Sequence, residues 1–336
     1  MTSLVRSNAP EFAGAVQGLR DSVRDHVVAL GWLDFDAGGG ATHANLPSDV
    51  CIVTLQVAAP ADAAAPTASA LAVVITPVRE QPRRYGVAGR SQIAVATLTV
   101  GGMFRLFGLE WLGRADRPVP LTELCSAART RQLWAALQGS QGLNARSAAF
   151  GRWLEAGLLE AGTMPAPQAR VARSALRLSH AAASGAEPPD LARLEGITRR
   201  QLERDFRRHL GLSPGAFARV ARFQRAAAAV SAGAPLADSA ALYGYADQAH
   251  LARSFKLYSG LTPRELAAQG ARPGRELLRA GLAGRVILLD LPGTEAGADS
   301  LAQRGAVSPR EARNDACADV AARQDRHPLA LAKWAA

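Results

Sequence analysis

Arginine side chains recur at helical spacing in two similar stretches of this 336-residue sequence. The first stretch, GITRRQLERDFRRHLGLSP, spans residues 196–214, and the second, GYADQAHLARSFKLYSGLTP, spans residues 244–263. A guanidinium group on a helix can donate two hydrogen bonds to O6 and N7 of guanine, whereas glutamate accepts from cytosine and alanine contacts the thymine methyl group. The residue types at this spacing therefore indicate a surface that can read base pairs in the major groove.

The two stretches align without a gap from their central leucines onward, at an offset of 49 residues. The residues of the first that recur in the second are Leu202, Arg204, Phe206, Gly211 and Pro214, which match Leu251, Arg253, Phe255, Gly260 and Pro263. An internal repeat of this kind indicates a supersecondary unit that occurs twice. Each copy reads as a short helix, a glycine turn and a longer helix, which is the layout of a helix-turn-helix.

A helical wheel separates an apolar side from a polar side in both longer helices, predicted at residues 198–210 and 247–258. The residues expected to point inward are Leu202, Phe206, Leu210, Leu251, Phe255 and Tyr258. The candidate DNA-contacting residues on the outer sides are Arg199, Arg200, Glu203, Arg204, Arg207, Gln248, His250, Arg253 and Lys256. A duplicated polar face backed by a duplicated apolar face is what two equivalent reading helices require.

The charge of the chain favours an anionic partner, either nucleic acid or an anionic membrane surface. The formal net charge is +10, and residues 188–264 hold twelve arginine or lysine residues against six acidic ones. Such a surplus supplies the sequence-independent attraction to phosphate on which base reading is superimposed. Because the sequence shows neither an apolar run long enough to span a bilayer nor a signal peptide, we expect a cytoplasmic protein with no membrane partner.

Residues 170–266 resemble the double helix-turn-helix domain of the AraC/XylS family of bacterial transcription regulators. The motif LYGYADQAHLARSFKLYSGLTP is similar to the second unit of that family at nearly every position, and LARLEGITRRQLERDFRRHLGLSP is similar to the first. The resemblance implies an all-α domain whose two reading helices enter successive major grooves on one face of DNA. It also implies a rigid spacer helix at residues 215–232, about 27 Å long, which is compatible with a groove separation of about 34 Å.

The second reading helix departs from an arginine-rich face, because Ala249 and Ala252 occupy outward positions. Its recognition of bases must depend on Gln248, His250 and Arg253. We therefore expect the first reading helix to discriminate more strongly between DNA sequences than the second does.

Two residues at the start of the second reading helix have more than one interpretation. Asp247 is favoured as the helix N-cap over a base contact. His250 can contact a phosphate, contact a base or pack within the domain, and the sequence does not choose among the three.

The N-terminal half has the pattern of an α+β domain. Segments rich in valine, isoleucine and threonine predict strands at VCIVTLQVA (50–58), LAVVITPV (71–78) and SQIAVATLTV (91–100). Helical periodicity follows from Gly101, with a break at Gly108. A further amphipathic helix is predicted at residues 11–30, with Val16, Leu19, Val23 and Val27 on one face.

These patterns divide the chain into four parts. Residues 1–162 are predicted to form an α+β sensor or dimerisation domain, residues 163–168 a linker, and residues 169–268 the all-α double helix-turn-helix domain. Residues 271–336 are expected to be a partly disordered tail, in which RVILLDL (285–291) is a candidate strand without an evident pairing partner.

The segment TLTVGGMFRLFGLEWLGRADRPVPLTEL resembles a poorly characterised domain that precedes AraC-type units in some bacterial proteins, over residues 46–160. That resemblance implies a sensor without naming a ligand. The aromatic residues of this half either line an apolar effector pocket or close an ordinary core, and the core is favoured. They are Phe104, Phe107, Trp111, Trp134 and Trp153.

An enzymatic N-terminal half, of the kind that joins a DNA-binding unit to repair by methyl transfer, is the alternative function. That chemistry needs a thiol of lowered pKa beside a base. Cys51 lies in an apolar strand pattern, Cys125 has no histidine nearby, and with Cys317 the three match no metal-ligand spacing. The histidines without partners at catalytic spacing are interpreted as surface or capping residues, and they are His26, His43 and His180.

We therefore predict a non-enzymatic, sequence-specific DNA-binding transcription regulator that uses no cofactor and no metal. Double-stranded DNA is the predicted partner, and a small-molecule effector, RNA polymerase and a second copy of the chain are candidate partners. A scaffold that binds acidic partners through its arginines is a third class of function. Such a scaffold would bind DNA in a salt-dependent way but without preferring one promoter fragment.

Overall fold

The computed structural model describes residues 11–14, 19–20, 23, 25–36, 41–57, 71–87, 90–108, 118–270 and 288–291. Antiparallel strands come first along the chain, and a long series of helices follows them. This order of elements confirms the predicted α+β N-terminal half and the all-α region after it.

The strands of the described residues form two antiparallel sheets. The strands are β1 Glu11–Gly14, β2 Val27–Asp36, β3 Ala41–Asn45, β4 Cys51–Val57, β5 Leu71–Thr76, β6 Arg83–Val87, β7 Arg90–Leu98, β8 Pro118–Pro120 and β9 Leu288–Leu291. The larger sheet has the order β1-β2-β7-β4-β5-β8, and the smaller sheet has the order β6-β3-β9. The three strands predicted from composition are β4, β5 and β7. Alternation puts Cys51, Val53 and Leu55 of β4 into the core, where each is fully buried.

The helix predicted at residues 11–30 is wrong, because β1 and β2 occupy both ends of that segment. β2 lies in the interior of the larger sheet, with β1 on one side and β7 on the other. Leu19, Val23 and Val27 are buried as their apolar character requires. The conformation of β2 is determined by its pairing with two neighbouring strands. The helical spacing of apolar residues within the segment contains no information about pairing with strands that are distant in the sequence.

The C-terminal strand β9 pairs with β3, with Thr42 opposite Leu291 and Asn45 opposite Leu288. The sequence showed no pairing partner for RVILLDL, and in the structure its strand β9 pairs with β3 of the N-terminal half. The chain therefore returns to its N-terminal half after the helical region. The other residues of the predicted tail lie outside the described ranges.

The helices are α1 Val100–Phe107, α2 Ala127–Gln138, α3 Gly142–Glu160, α4 Ala166–Ser184, α5 Leu191–Leu194, α6 Arg199–Leu210, α7 Pro214–Ser231, α8 Leu236–Leu242, α9 Gln248–Ser259 and α10 Pro263–Gly270. Helix α1 ends at Gly108, where the sequence predicted a break. Helix α4 begins at Ala166, inside the segment predicted to be a linker. None of the described helices is both long and apolar enough to cross a membrane.

A close backbone contact holds α1 against the start of β2. A Cβ atom on Gly102 would lie 2.5 Å from the carbonyl oxygen of His26, so glycine is required at this position. The amide of Thr99 donates to the same carbonyl oxygen at 3.0 Å. His26 is half-buried beneath α1, which corrects its interpretation as a surface residue, and this burial lowers the pKa of its imidazole.

Two hydrophobic cores join the N-terminal half to the helical region. The first contains Leu202, Phe206 and Leu210 of α6 together with residues of the larger sheet, α1, α3 and α4. The second contains residues of α7 and α9 together with Leu46, which directly follows β3 and is 1% exposed. The two halves are therefore packed against each other and not merely joined by a linker.

His209 lies where α6 meets α1. Its ring contacts Phe104 edge to face, with 6.2 Å between ring centroids, and the residue is buried. Burial, together with the smaller effect of the nearby Arg208 charge, lowers the pKa of His209. The folded protein therefore favours the neutral imidazole at this contact.

Substitution of Leu46 by alanine tests whether the second core depends on the N-terminal half. We expect the free energy of unfolding to fall by about 2–5 kcal/mol, because the substitution leaves a cavity among α7 and α9. Leu242→Ala is the matched control, since Leu242 is 54% exposed and its loss should change stability by less than about 0.5 kcal/mol. Equal effects of the two substitutions in urea unfolding would contradict a buried role for Leu46.

Substitution of His209 by glutamine tests the interface between α6 and α1. The unfolded chain binds a proton at the ordinary histidine pKa of about 6.5, whereas the folded chain resists protonation until lower pH. Stability from this residue is therefore complete above pH 6.5 and is lost as the pH falls, by at most about 1.4 kcal/mol per pH unit. Urea unfolding at pH 7.5 and 5.5 measures how much the free energy of unfolding falls between the two pH values. The fall should be smaller in the variant than in the wild-type protein. An identical fall would contradict a lowered pKa of His209 in the folded protein.

Candidate nucleic-acid interface

The two predicted reading helices, α6 and α9, begin and end in the same way. The side chain of Thr198 caps α6 by accepting from the amide of Gln201 at 3.1 Å, and the side chain of Asp247 caps α9 by accepting from the amide of His250 at 2.6 Å. Both helices stop at a glycine in the left-handed conformation, with φ of 72° at Gly211 and 74° at Gly260. The prediction that Asp247 is an N-cap is confirmed.

The inner faces of α6 and α9 are buried as the helical wheel predicted. The buried residues are Leu202, Phe206, Leu210, Leu251, Phe255 and Tyr258. This burial fixes the rotation of each helix about its own axis, so the opposite side of each helix faces away from the protein.

All nine candidate DNA-contacting residues are exposed. On α6 they are Arg199, Arg200, Glu203, Arg204 and Arg207, and on α9 they are Gln248, His250, Arg253 and Lys256. We call the exposed candidate residues of α6 the first reading face and those of α9 the second reading face.

Several side chains of the first reading face already have partners within the protein. Arg207 pairs with Glu203 at 3.4 Å, and Arg199 pairs with Asp190 at 3.5 Å. Both pairs are exposed, so they contribute little to stability. Arg200 forms no hydrogen bond or ion pair with the described residues, which leaves its guanidinium group available.

The ring of His250 packs within the domain although the residue is exposed, so its contact with a phosphate or with a base stays a prediction. Its ring meets Tyr245 edge to face at 5.1 Å, and its Nδ1 accepts from the amide of Ala246 at 3.4 Å. The hydroxyl group of Tyr245 lies 3.2 Å from Oγ of Ser254. The exposed edge of His250 still lies on the second reading face.

Helix α7 is the common support of both reading helices. Phe217 near its start meets Phe206 of α6 with 6.2 Å between ring centroids, and Phe223 meets Phe255 of α9 at 5.5 Å. The spacer helix that the family resemblance implied at residues 215–232 is present as Pro214–Ser231. Its 18 residues span about 27 Å.

Helix α7 also carries polar contacts to the N-terminal half, which the sequence analysis did not foresee. Arg219 pairs with Glu80 at 3.1 Å, and Arg225 lies 3.5 Å from Asp49, whose side chain is fully buried. Gln224 is fully buried and donates from Nε2 to the main-chain oxygen of Pro47. A buried glutamine in an otherwise apolar helix face was the one signal in the sequence that could have indicated this contact.

Among the described residues, the candidate pocket-lining aromatic side chains of the N-terminal half belong to a hydrophobic core or pack against it. Phe104 and Trp153 are buried in the first core, and Phe107 and Trp134 pack against it, as the favoured interpretation had it. Trp111 lies outside the described residues. A cavity of about 250 Å³ occurs elsewhere, between α4, α7 and the turn after α8, where Leu178, Ala218, Arg222 and Tyr243 line it.

The thiols of the N-terminal half are not activated. Burial raises the pKa of Cys51 to about 12, and it also raises the pKa of Cys125. Cys317 lies outside the described residues. Within the described ranges, no three histidine, cysteine, aspartate or glutamate side chains converge in a group able to hold a metal ion.

Comparison with known proteins identifies the region that contains both reading helices. Residues 191–269 match the family model of a helix-turn-helix domain, and no curated protein matches the chain. Among solved structures the chain is similar to ToxT from Vibrio cholerae, at 10% identity and a TM-score of 0.41 over 71% of this chain and 98% of that one. It is also similar to ToxT of strain O395, with 11% identity, a TM-score of 0.38 and coverage of 71% and 97%. The family-model match identifies residues 191–269 as a helix-turn-helix domain of the AraC type.

Proposed function

We propose that the protein is a sequence-specific DNA-binding transcription regulator that reads two successive major grooves with α6 and α9. The observation that supports this proposal most strongly is the duplication of the reading face. Helices α6 and α9 each expose polar candidate residues, nine in total, and each buries an apolar side. Because both inner sides are fixed to α7, the two faces keep a constant spacing. The supporting helix α7 spans about 27 Å, which is compatible with a groove separation of about 34 Å.

The arginines of the first reading face are assigned two different roles. Arg200 has no partner among the described residues, so its guanidinium group is free to contact a base edge in bidentate fashion. Arg207 lies more than a full turn further toward the C-terminal end of α6 and exchanges its exposed pair with Glu203 for a phosphate. The first role determines sequence preference, and the second determines affinity for any sequence.

Substitution of these two arginines by alanine tests the division. Arg200→Ala should reduce the preference for the best site over single-base variants by about 1–3 kcal/mol at one position. Arg207→Ala should weaken binding to all DNA sequences alike. The salt dependence of binding should fall by the amount that corresponds to about one phosphate contact. A mobility-shift series in which both substitutions act identically on specific and random DNA would contradict it.

The experiment that tests the function as a whole is selection of bound genomic fragments by the full chain, followed by competition with bulk DNA across a range of salt concentrations. A regulator should prefer one fragment by about a thousandfold or more. Affinity that falls steeply with salt but shows no preferred fragment would identify the scaffold that binds acidic partners instead.

The N-terminal half is proposed to control the reading helices from within the cytoplasm, through a small-molecule effector or a second copy of the chain. Its contacts to α7 by Asp49, Pro47 and Glu80 support this role, because any shift of the N-terminal half acts on the helix that supports both reading faces. RNA polymerase is a further candidate partner of the bound regulator. Metabolites that raise the melting temperature of the full chain should also change its affinity for the selected fragment.

The methyl-transfer alternative is not favoured. It requires a thiolate nucleophile, and burial raises the pKa of both Cys51 and Cys125. We therefore propose a protein without enzymatic activity, and DNA-dependent regulation should survive substitution of all the cysteines by serine or alanine.

A further inference from the structure

A chain of four polar side chains runs from helix α4 to the first reading face. Arg170 of α4 donates from Nε and Nη2 to Oδ2 of Asp205, at 3.0 and 2.8 Å. Gln201 donates from Nε2 to the other carboxylate oxygen at 2.6 Å, and its Oε1 accepts from Nη1 of Arg204 at 2.9 Å. The exposed guanidinium group of Arg204 is thus connected to a support outside its own helix-turn-helix unit.

The buried end of this chain is well fixed. The side chain of Asp205 is 6% exposed and that of Arg170 is 18% exposed. A carboxylate removed from water requires such partners, and its two oxygens are satisfied by donors on different sides. Asp205 therefore offers Gln201 a stationary acceptor.

The chemistry of the three partners determines which way the Gln201 amide points. A carboxylate only accepts hydrogen bonds and a guanidinium group only donates them, so an amide is suited to lie between the two. Its NH₂ group must face Asp205 and its oxygen must face Arg204. The contact uses only Nη1 of Arg204, and the Nε and Nη2 donors are left for a bidentate contact with a base.

The second reading helix lacks this arrangement, although it has an arginine at the corresponding place. The positions equivalent to Gln201, Arg204 and Asp205 are His250, Arg253 and Ser254. His250 and Ser254 both turn to Tyr245. Arg253 forms no hydrogen bond or ion pair with the described residues, so no polar contact with them holds its side chain.

We propose that Gln201 is a positioning residue that presents Arg204 to the duplex in one orientation, which makes the first reading face the stricter of the two. The inference rests on the proposed function as a DNA-binding regulator. An arginine held in advance loses less side-chain freedom on binding, and it does not swing to accept a different base. Gln201 consequently acts on discrimination more than on affinity.

Gln201→Leu removes the amide and keeps a side chain of similar size. The preference at the one or two base pairs that Arg204 faces should fall about threefold to tenfold, as expected when one rotamer-rich side chain is no longer immobilised. Affinity for random DNA and its salt dependence should not change, because the charge of Arg204 remains. Gln132→Leu, the same substitution at an exposed position of α2 away from both reading faces, is the matched control and should leave the preference at those base pairs intact.

The measurement is binding of the full-length protein to every single-base variant of its selected site. Arg204→Ala identifies the base pairs that depend on Arg204, and the double variant with Gln201→Leu should lose nothing further at them. Circular dichroism verifies that each variant is folded at the assay temperature. Where Gln201→Leu does not fold, Gln201→Asn replaces it, because an amide one methylene shorter reaches Asp205 or Arg204 but not both.

Three results would overturn the inference. The first is an unchanged profile of base preference in both Gln201 variants. The second is an equal loss of base preference at all positions of the DNA site. The third is a loss of preference in the double variant beyond that of Arg204→Ala alone. A wild-type protein that prefers no fragment would overturn the proposed function itself, and that result is distinguishable because it appears before any variant is made.

Discussion

The packing of phenylalanine against phenylalanine on helix α7 is the constraint on which the DNA-binding domain depends. Phe217 holds Phe206 of α6, and six residues later Phe223 holds Phe255 of α9. All four rings are fully buried. Because buried interiors are close-packed, α6 and α9 cannot change their spacing without opening a core. The separation of the two reading faces is therefore a property of α7 and is present before DNA binds.

The N-terminal half is attached to the same support. Leu46 enters the core of the second unit, and Asp49 and Pro47 contact Arg225 and Gln224 on α7. The first unit is held separately, by α4 and by the contact of Phe104 with His209. A signal in the N-terminal half can bias DNA binding only by making different contacts in two arrangements of these elements. Among the described residues, α7 and the junction of α4 with α6 offer two routes for such a signal.

Local features of the helical region were predictable from sequence, and contacts between distant segments were not. The caps, the glycine stops and the inward side of α6 and α9 follow from residues within a few positions of one another, as Asp247 and Gly260 illustrate. β2 was misread because its conformation depends on pairing with β7, some sixty residues away in the chain. The partner of β9 and the contact of Gln224 with Pro47 span even longer separations. No period or motif within either segment encodes its distant neighbour.

The duplication within the chain shows which parts of the first unit the fold itself requires. Both units bury a leucine and a phenylalanine at matching positions and both end at a left-handed glycine, so these features build the helix-turn-helix. The second unit forms the same structure with Ser254 where the first has Asp205. A buried carboxylate is costly to desolvate and is weak evidence for stability. The helix-turn-helix layout does not require this carboxylate, and in the first unit its hydrogen bonds link Arg170 of α4 through Gln201 to Arg204.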